Sequence, residues 1–147
     1  MANLRSMKRI PLLIFLAFPL AAFAPLKHYY GERMDVIELA AVIEAEAGGE
    51  TFTGKYLVGS VAVNRMRDSL WSDDLTDVLT QESQFARAKE PSSESLAAAE
   101  RALYFPFPGI KYFVNPKIAT NKEFISRLEV CFDLGNHRFC EFYNWQK

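Results

Sequence analysis

Apolar positions follow three different patterns along this chain. Residues 10–26 (IPLLIFLAFPLAAFAPL) form an unbroken apolar run without a charge. From Asp35 to Ala47 the spacing becomes helical. At about 100° per residue Val36, Leu39, Ala40, Ile43 and Ala47 gather on one side, with Asp35, Glu38 and Ala45 opposite, which predicts an amphipathic helix. Gly48-Gly49 ends it. Leu57, Val58, Val61, Ala62 and Met66 predict a second helix over Thr53–Arg67, whose small residues Gly54, Gly59 and Ser60 let another helix approach closely. A short helical turn at Leu75–Leu79 is followed by the polar stretch Gln81-Glu82-Ser83-Gln84 and Phe85. Ser92-Ser93-Glu94-Ser95 offers N-cap residues for a third helix reaching about Leu103, and Phe105-Pro106-Phe107-Pro108-Gly109 breaks it.

In the last third the period drops to two. Tyr112-Phe113-Val114 reads as a short strand ended by Asn115-Pro116, and Arg127–Asp133 pairs with His137–Tyr143. Gly135-Asn136 suits a two-residue hairpin turn, because both residue types tolerate positive φ. In that register Phe132 faces Phe139 and Cys131 faces Cys140.

The start of the chain changes the picture of where this domain works. Arg5, Lys8 and Arg9, with no acid beside them, precede the apolar run, which is the pattern of an export signal. Ala22-Phe23-Ala24 presents small residues for a signal peptidase, whereas Pro19 and Pro25 work against cleavage. Seventeen apolar residues lie at the short limit for crossing about 30 Å of hydrocarbon. Residues 1–27 are thus read as a signal peptide or a retained anchor, and residues 28–147 as the folded domain, exported to the periplasm or cell envelope. The competing reading makes residues 10–26 a buried core helix. Export makes a Cys131–Cys140 disulfide tenable, since facing Cα atoms lie about 4.5–5.5 Å apart and the compartment is oxidising. Two buried thiols remain the alternative. No Cys-x-x-Cys or His pair stands at metal-ligand spacing, so no metal or other cofactor is expected.

Composition adds exclusions. The chain has 147 residues, half of them apolar, and its 17 Lys plus Arg against 18 Asp plus Glu leave a net charge of −1, which suits one monomeric domain with a sizeable core. Without a clustered basic patch there is no signal for nucleic-acid binding. A membrane partner enters only through the N-terminal segment.

One carboxyl stands out against this background. Glu46 falls in the last turn of the first helix, about 20° from Leu39 and 60° from Ile43, at the margin of the apolar stripe. Partial desolvation, the negative helix end and the like charges of Glu44 and Glu50 would each raise its pKa, as a general acid requires. The plainer reading is that Glu44, Glu46 and Glu50 solvate a helix end. Asn64 and Arg65, ending a mostly apolar helix, either reach into a cleft or cap the helix.

Five segments in order carry a resemblance. Ala45-Glu46-Ala47-Gly48-Gly49-Glu50, Val61-Ala62-Val63-Asn64-Arg65, Gln81 to Phe85, Tyr112-Phe113-Val114-Asn115-Pro116 with Ala119-Thr120, and His137-Arg138-Phe139 together resemble the cell wall hydrolases of the SleB/CwlJ type. The resemblance implies an α+β, lysozyme-like, mainly helical domain with a small antiparallel β-sheet near the C-terminus. It also implies lytic transglycosylase action on peptidoglycan glycan strands and places the catalytic glutamate at Glu46. A neutral Glu46 would protonate the oxygen between N-acetylmuramic acid and N-acetylglucosamine. The muramic 6-hydroxyl would then close on the anomeric carbon while ionised Glu46 takes its proton.

Hydrolysis would instead want a second carboxylate, for which Glu50 and Glu82 are the candidates. Sugar-groove residues implied by the resemblance are Tyr112, Phe113 and Asn115, with Gln81, Phe85 and Asn64 in similar roles, while packing in a strand core explains Tyr112 and Phe113 equally well. His137 reads as structural or exposed. This chain departs from the family pattern at Ala45 and Gly48, where Gly and Arg are usual, and after Thr120, where only Phe124 replaces the usual tryptophans. The competing functions are a muramidase, an N-acetylmuramoyl-L-alanine amidase, a non-catalytic peptidoglycan-binding module and a membrane-anchored structural protein.

Overall fold

The structure, a computed structural model, describes residues 24–146. The export segment assigned to residues 1–27 therefore lies outside the described residues except for its last four, which begin the first helix. Helix α1 spans Ala24–Ala47, α2 Phe52–Met66, α3 Leu75–Thr80, α4 Ser93–Tyr104 and α5 Lys122–Ser126, with strands β1 Tyr112–Val114, β2 Leu128–Leu134 and β3 His137–Tyr143. Helix α1 is longer than the Asp35–Ala47 stretch that its apolar stripe marks, and α5 was not anticipated. Five residues are too short to show a helical period, and α5 buries none of them.

Local chemistry starts the helices. Thr51, Asp74, Ser92 and Asn121 are N-caps whose side-chain oxygens accept the N–H three residues on, from Gly54, Asp77, Ser95 and Phe124. Burial then joins them. Leu39, Ala40, Val42 and Ile43 of α1, Val58, Val61, Ala62 and Val63 of α2, and Ala98, Ala99 and Ala102 of α4 are all fully buried. Close approach depends on Gly59, where a Cβ would lie 2.8 Å from Ile43 Cδ1 and 3.0 Å from Ala102 Cβ. A side chain there would push α2 away from both neighbours.

The sheet has the order β1-β3-β2 and is antiparallel throughout. Phe132 faces Phe139 and Cys131 faces Cys140, the register set by the Gly135-Asn136 turn, with Gly135 at φ 61°. A disulfide joins Cys131 and Cys140. Central β3 carries Phe139, fully buried between Phe113 and Phe132 and in contact with the helical core. Sheet and helices thereby share one core, and the hairpin turn comes to rest beside the end of α1.

Candidate active site

Three glutamates near the end of α1 have three separate fates. Glu44 turns toward α4, where its Oε2 accepts the Ser92 hydroxyl at 2.6 Å, the Ser95 hydroxyl at 2.6 Å and the Ser92 N–H at 3.0 Å. The Ser92 and Ser95 hydroxyl bonds hold its pKa at about 2, below the ordinary 4.5. It therefore serves the N-terminus of α4. Glu50 reaches the hairpin turn instead. Its Oε1 accepts Asn136 Nδ2 at 2.8 Å and Asn136 N–H at 3.3 Å. Its Oε2 lies against the place a Cβ on Gly135 would take, so a side chain there would push this carboxylate off the turn.

Glu46 is the one that addresses open space with its carboxyl anchored at a single point. Its Oε1 accepts the Ala86 N–H at 2.6 Å. That donor sits on the connection after α3, which is strapped to α1 by Ala88 N–H on the Ala41 carbonyl at 2.9 Å and by Arg87 with Glu38 at 3.3 Å. A cleft of about 700 Å³ is lined by Glu46, Gly49 and Glu50 from around the end of α1 and by Phe113, Val114 and Asn115 from β1 and its end. Ala119, Thr120, Asn136 and His137 also line it.

Of the two expectations for His137, structural or exposed, exposure does not hold. The residue is 8% exposed, lines the cleft, stands edge-on to Phe113 at 5.5 Å, and its Nδ1 lies 3.8 Å from Glu50 Oε1. That buried Nδ1 has no hydrogen-bond partner among the described residues. Burial lowers the imidazole below its usual 6.5, opposed by the negative fields of Glu50 and Glu46.

Several expected groove residues fall elsewhere. Tyr112 and Phe113, adjacent in β1, border different cavities. Phe113 faces the Glu46 cleft, whereas Tyr112 packs with Phe124 and Tyr143 and borders a neighbouring cavity together with Gln81. Phe85 lies against the helical core, 6.2 Å from Phe113, and is a support rather than a wall. Asn64 is neither a cap nor a sugar ligand: its Nδ2 donates to the carbonyls of Phe107 at 2.7 Å and Ile110 at 2.9 Å. Those carbonyls would otherwise lack a donor in the loop before β1. Glu82 is exposed and does not border the cleft. Asn115, Glu46 and Glu50 border the same cleft.

Residues the sequence reading passed over include Ser83, Gln84, Thr120 and Asn136, all on the cleft. The polar run 81–84, the Ala119-Thr120 pair and the Gly135-Asn136 turn carried their only signals. Arg65 lines the same cleft. It is 6% exposed, its Nε donates to the Lys111 carbonyl at 2.7 Å and its Nη1 to Gln84 Oε1 at 3.1 Å. The guanidinium lies 5.1 Å from the Phe85 ring centre and 5.6 Å from those of Trp71 and Tyr112. Desolvation lowers its pKa to about 10, which leaves it cationic at neutral pH.

Residues 49–140 match the sequence model of a family described as cell wall hydrolase. A spore cortex-lytic enzyme from Oceanobacillus iheyensis is 26% identical over 115 residues, covering 73% of this chain and 41% of that protein. The chain thus spans about two fifths of that relative's length. The catalytic domain of the germination-specific lytic transglycosylase SleB from Bacillus anthracis superposes with a TM-score of 0.65 at 23% identity, covering 72% of this chain and 93% of that one. The catalytic domain of SleB from Bacillus cereus gives 0.66 at 23% identity, covering 74% and 90%. At that identity the structural likeness speaks for the fold, a helical domain with a small C-terminal antiparallel sheet.

Proposed function

Because the chain belongs to the cell wall hydrolase family, we propose that its cleft cuts peptidoglycan glycan strands between N-acetylmuramic acid and N-acetylglucosamine as a lytic transglycosylase. The observation that carries this is the unequal treatment of two carboxyls in one cleft: Glu46 accepts a single hydrogen bond, from Ala86 N–H, whereas Glu50 accepts two from Asn136 and lies against the Gly135 turn. One available carboxyl suits a reaction that needs a single acid and base. The names of the relatives, a cortex-lytic enzyme and a lytic transglycosylase, support the same reading.

In this mechanism Ala86 N–H holds Oε1, and the other Glu46 oxygen delivers a proton to the bridging oxygen as the C1–O bond breaks. Positive charge grows on the muramic ring, and the resulting Glu46 carboxylate stabilises it. The muramic 6-hydroxyl then bonds to C1 and gives its proton to Glu46, which returns to its starting state. The products are a 1,6-anhydromuramic end and a free 4-hydroxyl on N-acetylglucosamine, with no water consumed. Phe113 and Asn115 form the wall against which the sugar is positioned. The apolar leader and the Cys131–Cys140 bridge support an exported enzyme, since this substrate lies outside the cytoplasm.

Mass spectrometry of muropeptides released from purified sacculi tests the proposal. Anhydro ends are expected from the wild type. Glu46→Gln keeps an oxygen for Ala86 N–H but has no proton to give, so activity falls about 10²- to 10⁴-fold without unfolding. Ordinary reducing ends would make the enzyme a muramidase, and binding without cleavage a wall-binding module. Undiminished activity of Glu46→Gln would remove Glu46 from its role.

A further inference from the structure

Beside the Glu46 cleft lies a second cavity of about 420 Å³. It shares Arg65, Gln84 and Phe124 with the cleft, so the two depressions are continuous along one wall. Its other sides are aromatic, and they include Trp71 and Trp145, the only two tryptophans of the chain. Neither tryptophan belongs to the segments that carry the family resemblance.

Trp145 is 76% exposed, an unusual placement for the largest apolar side chain. It is nevertheless held in place. Its ring stands edge-on to Tyr143 at 4.6 Å, and the turn that carries it is pinned by Asn144 N–H on the Arg127 carbonyl at 2.8 Å and by Asn144 Nδ2 on Glu129 Oε1 at 2.8 Å. Across the cavity Trp71 leans on Tyr112 at 6.0 Å, with Arg65 beneath. Gln81, which the main cleft does not use, stands on the rim.

Aromatic faces combined with side-chain amides are the chemistry of saccharide recognition. A pyranose offers C–H faces to the rings, while its hydroxyl and N-acetyl groups need donors and acceptors at the edge. Arg65 spends its hydrogen bonds on a carbonyl and an amide rather than on a carboxylate, and its charge is spread against three rings.

We propose that this second cavity is a saccharide subsite that holds an N-acetylhexosamine of the glycan strand beyond the bond cut at Glu46, with Trp145 as its platform. The proposal rests on the glycan-cleaving reading of the main cleft and adds the direction in which the strand runs, past Arg65 and toward the C-terminal turn. Since 76% of Trp145 is exposed, removing its ring leaves the core intact. The competing occupant is the peptide stem, whose carboxylates would seek Arg65.

Both tryptophans report on this one cavity, so binding can be read without turnover. The Glu46→Gln full chain is titrated with chitin oligosaccharides, which are uncharged and carry no stem, and separately with the free stem tetrapeptide. A saturable change in tryptophan emission with the saccharide alone is expected. Trp145→Ala and, as an independent variant, Gln81→Ala should each weaken saccharide binding measured by calorimetry about 3- to 10-fold. In the otherwise wild-type enzyme the same changes should raise KM on sacculi and leave kcat within about twofold. A response to the tetrapeptide instead, or to neither probe, overturns the subsite. So do oligosaccharide affinity and KM that ignore both substitutions. If those results come with intact release of anhydro ends by the wild type, only the subsite fails. If the wild type releases no such ends, the underlying reading fails with it.

Discussion

Replacing Glu50 by glutamine and by alanine separates two jobs that a carboxylate can do in this cleft. As a clamp it works through geometry: Oε1 receives two bonds from Asn136, at 2.8 and 3.3 Å, and the side chain is only 10% exposed. A hydrogen bond to a charged acceptor contributes about 1.5–3 kcal/mol. The second bond is long and the turn exposed, so Glu50→Ala should cost about 2–3 kcal/mol in all. For a domain of this size that lowers Tm by about 8–12 °C. Glutamine retains an oxygen for Asn136, so Glu50→Gln should stay within about 1 kcal/mol of the wild type. As a base or nucleophile Glu50 would behave differently. Loss of its charge alone would then lower kcat by about 10²- to 10⁴-fold in either variant. The assays are thermal unfolding and the rate of release of soluble fragments from sacculi. The clamp predicts Glu50→Gln within tenfold of wild-type activity, and Glu50→Ala destabilised. A well-folded Glu50→Gln enzyme slowed a hundredfold or more would refute this reasoning and turn the mechanism toward hydrolysis with two carboxylates.

Three further predictions follow from the electrostatics and the cross-link. The Glu44 carboxyl titrates near 2 in the fold against 4.5 ordinarily, so its contribution to stability is complete above pH 4.5 and fades as the pH falls toward 2. The difference in unfolding free energy between wild type and Glu44→Gln should shrink over that interval, and a pH-independent difference would contradict the Ser92 and Ser95 contacts. His137 has its pKa lowered by burial, so the unfolded chain binds its proton first and stability declines as the pH drops below 6.5. Denaturant titrations of wild type and His137→Gln between pH 5 and 8 should show the steeper decline in the wild type. The Cys131–Cys140 bridge spans nine positions, and removing it should cost about 2–3 kcal/mol through the freedom returned to the unfolded chain. A Cys131→Ala/Cys140→Ala protein should melt about 8–12 °C lower and be insensitive to reductant, and an unchanged Tm would oppose this.

What could be read from the chain and what could not divides by the range of the interactions involved. The stripe Leu39-Ala40-Ile43-Ala47, the cap at Ser92 and the Gly135-Asn136 turn act within a few residues, and the helix faces, the start of α4 and the hairpin register follow from them. Glu46 was visible because an acid at the margin of an apolar stripe breaks a local pattern. Helix α5 was not, since one turn has no period to detect.

The uses made of neighbouring residues were settled only by packing. Glu44, Glu46 and Glu50 look alike in sequence, and they part ways because α4, the Ala86 connection and the hairpin turn arrive from distant parts of the chain. Asn64 was drawn away from the cleft by two carbonyls more than forty positions ahead of it. Strand alternation sent Tyr112 and Phe113 to different cavities once β1 had docked on β3. Secondary structure thus followed from local spacing, whereas the partner of each polar side chain depended on which distant backbone groups needed a donor or an acceptor when the core closed.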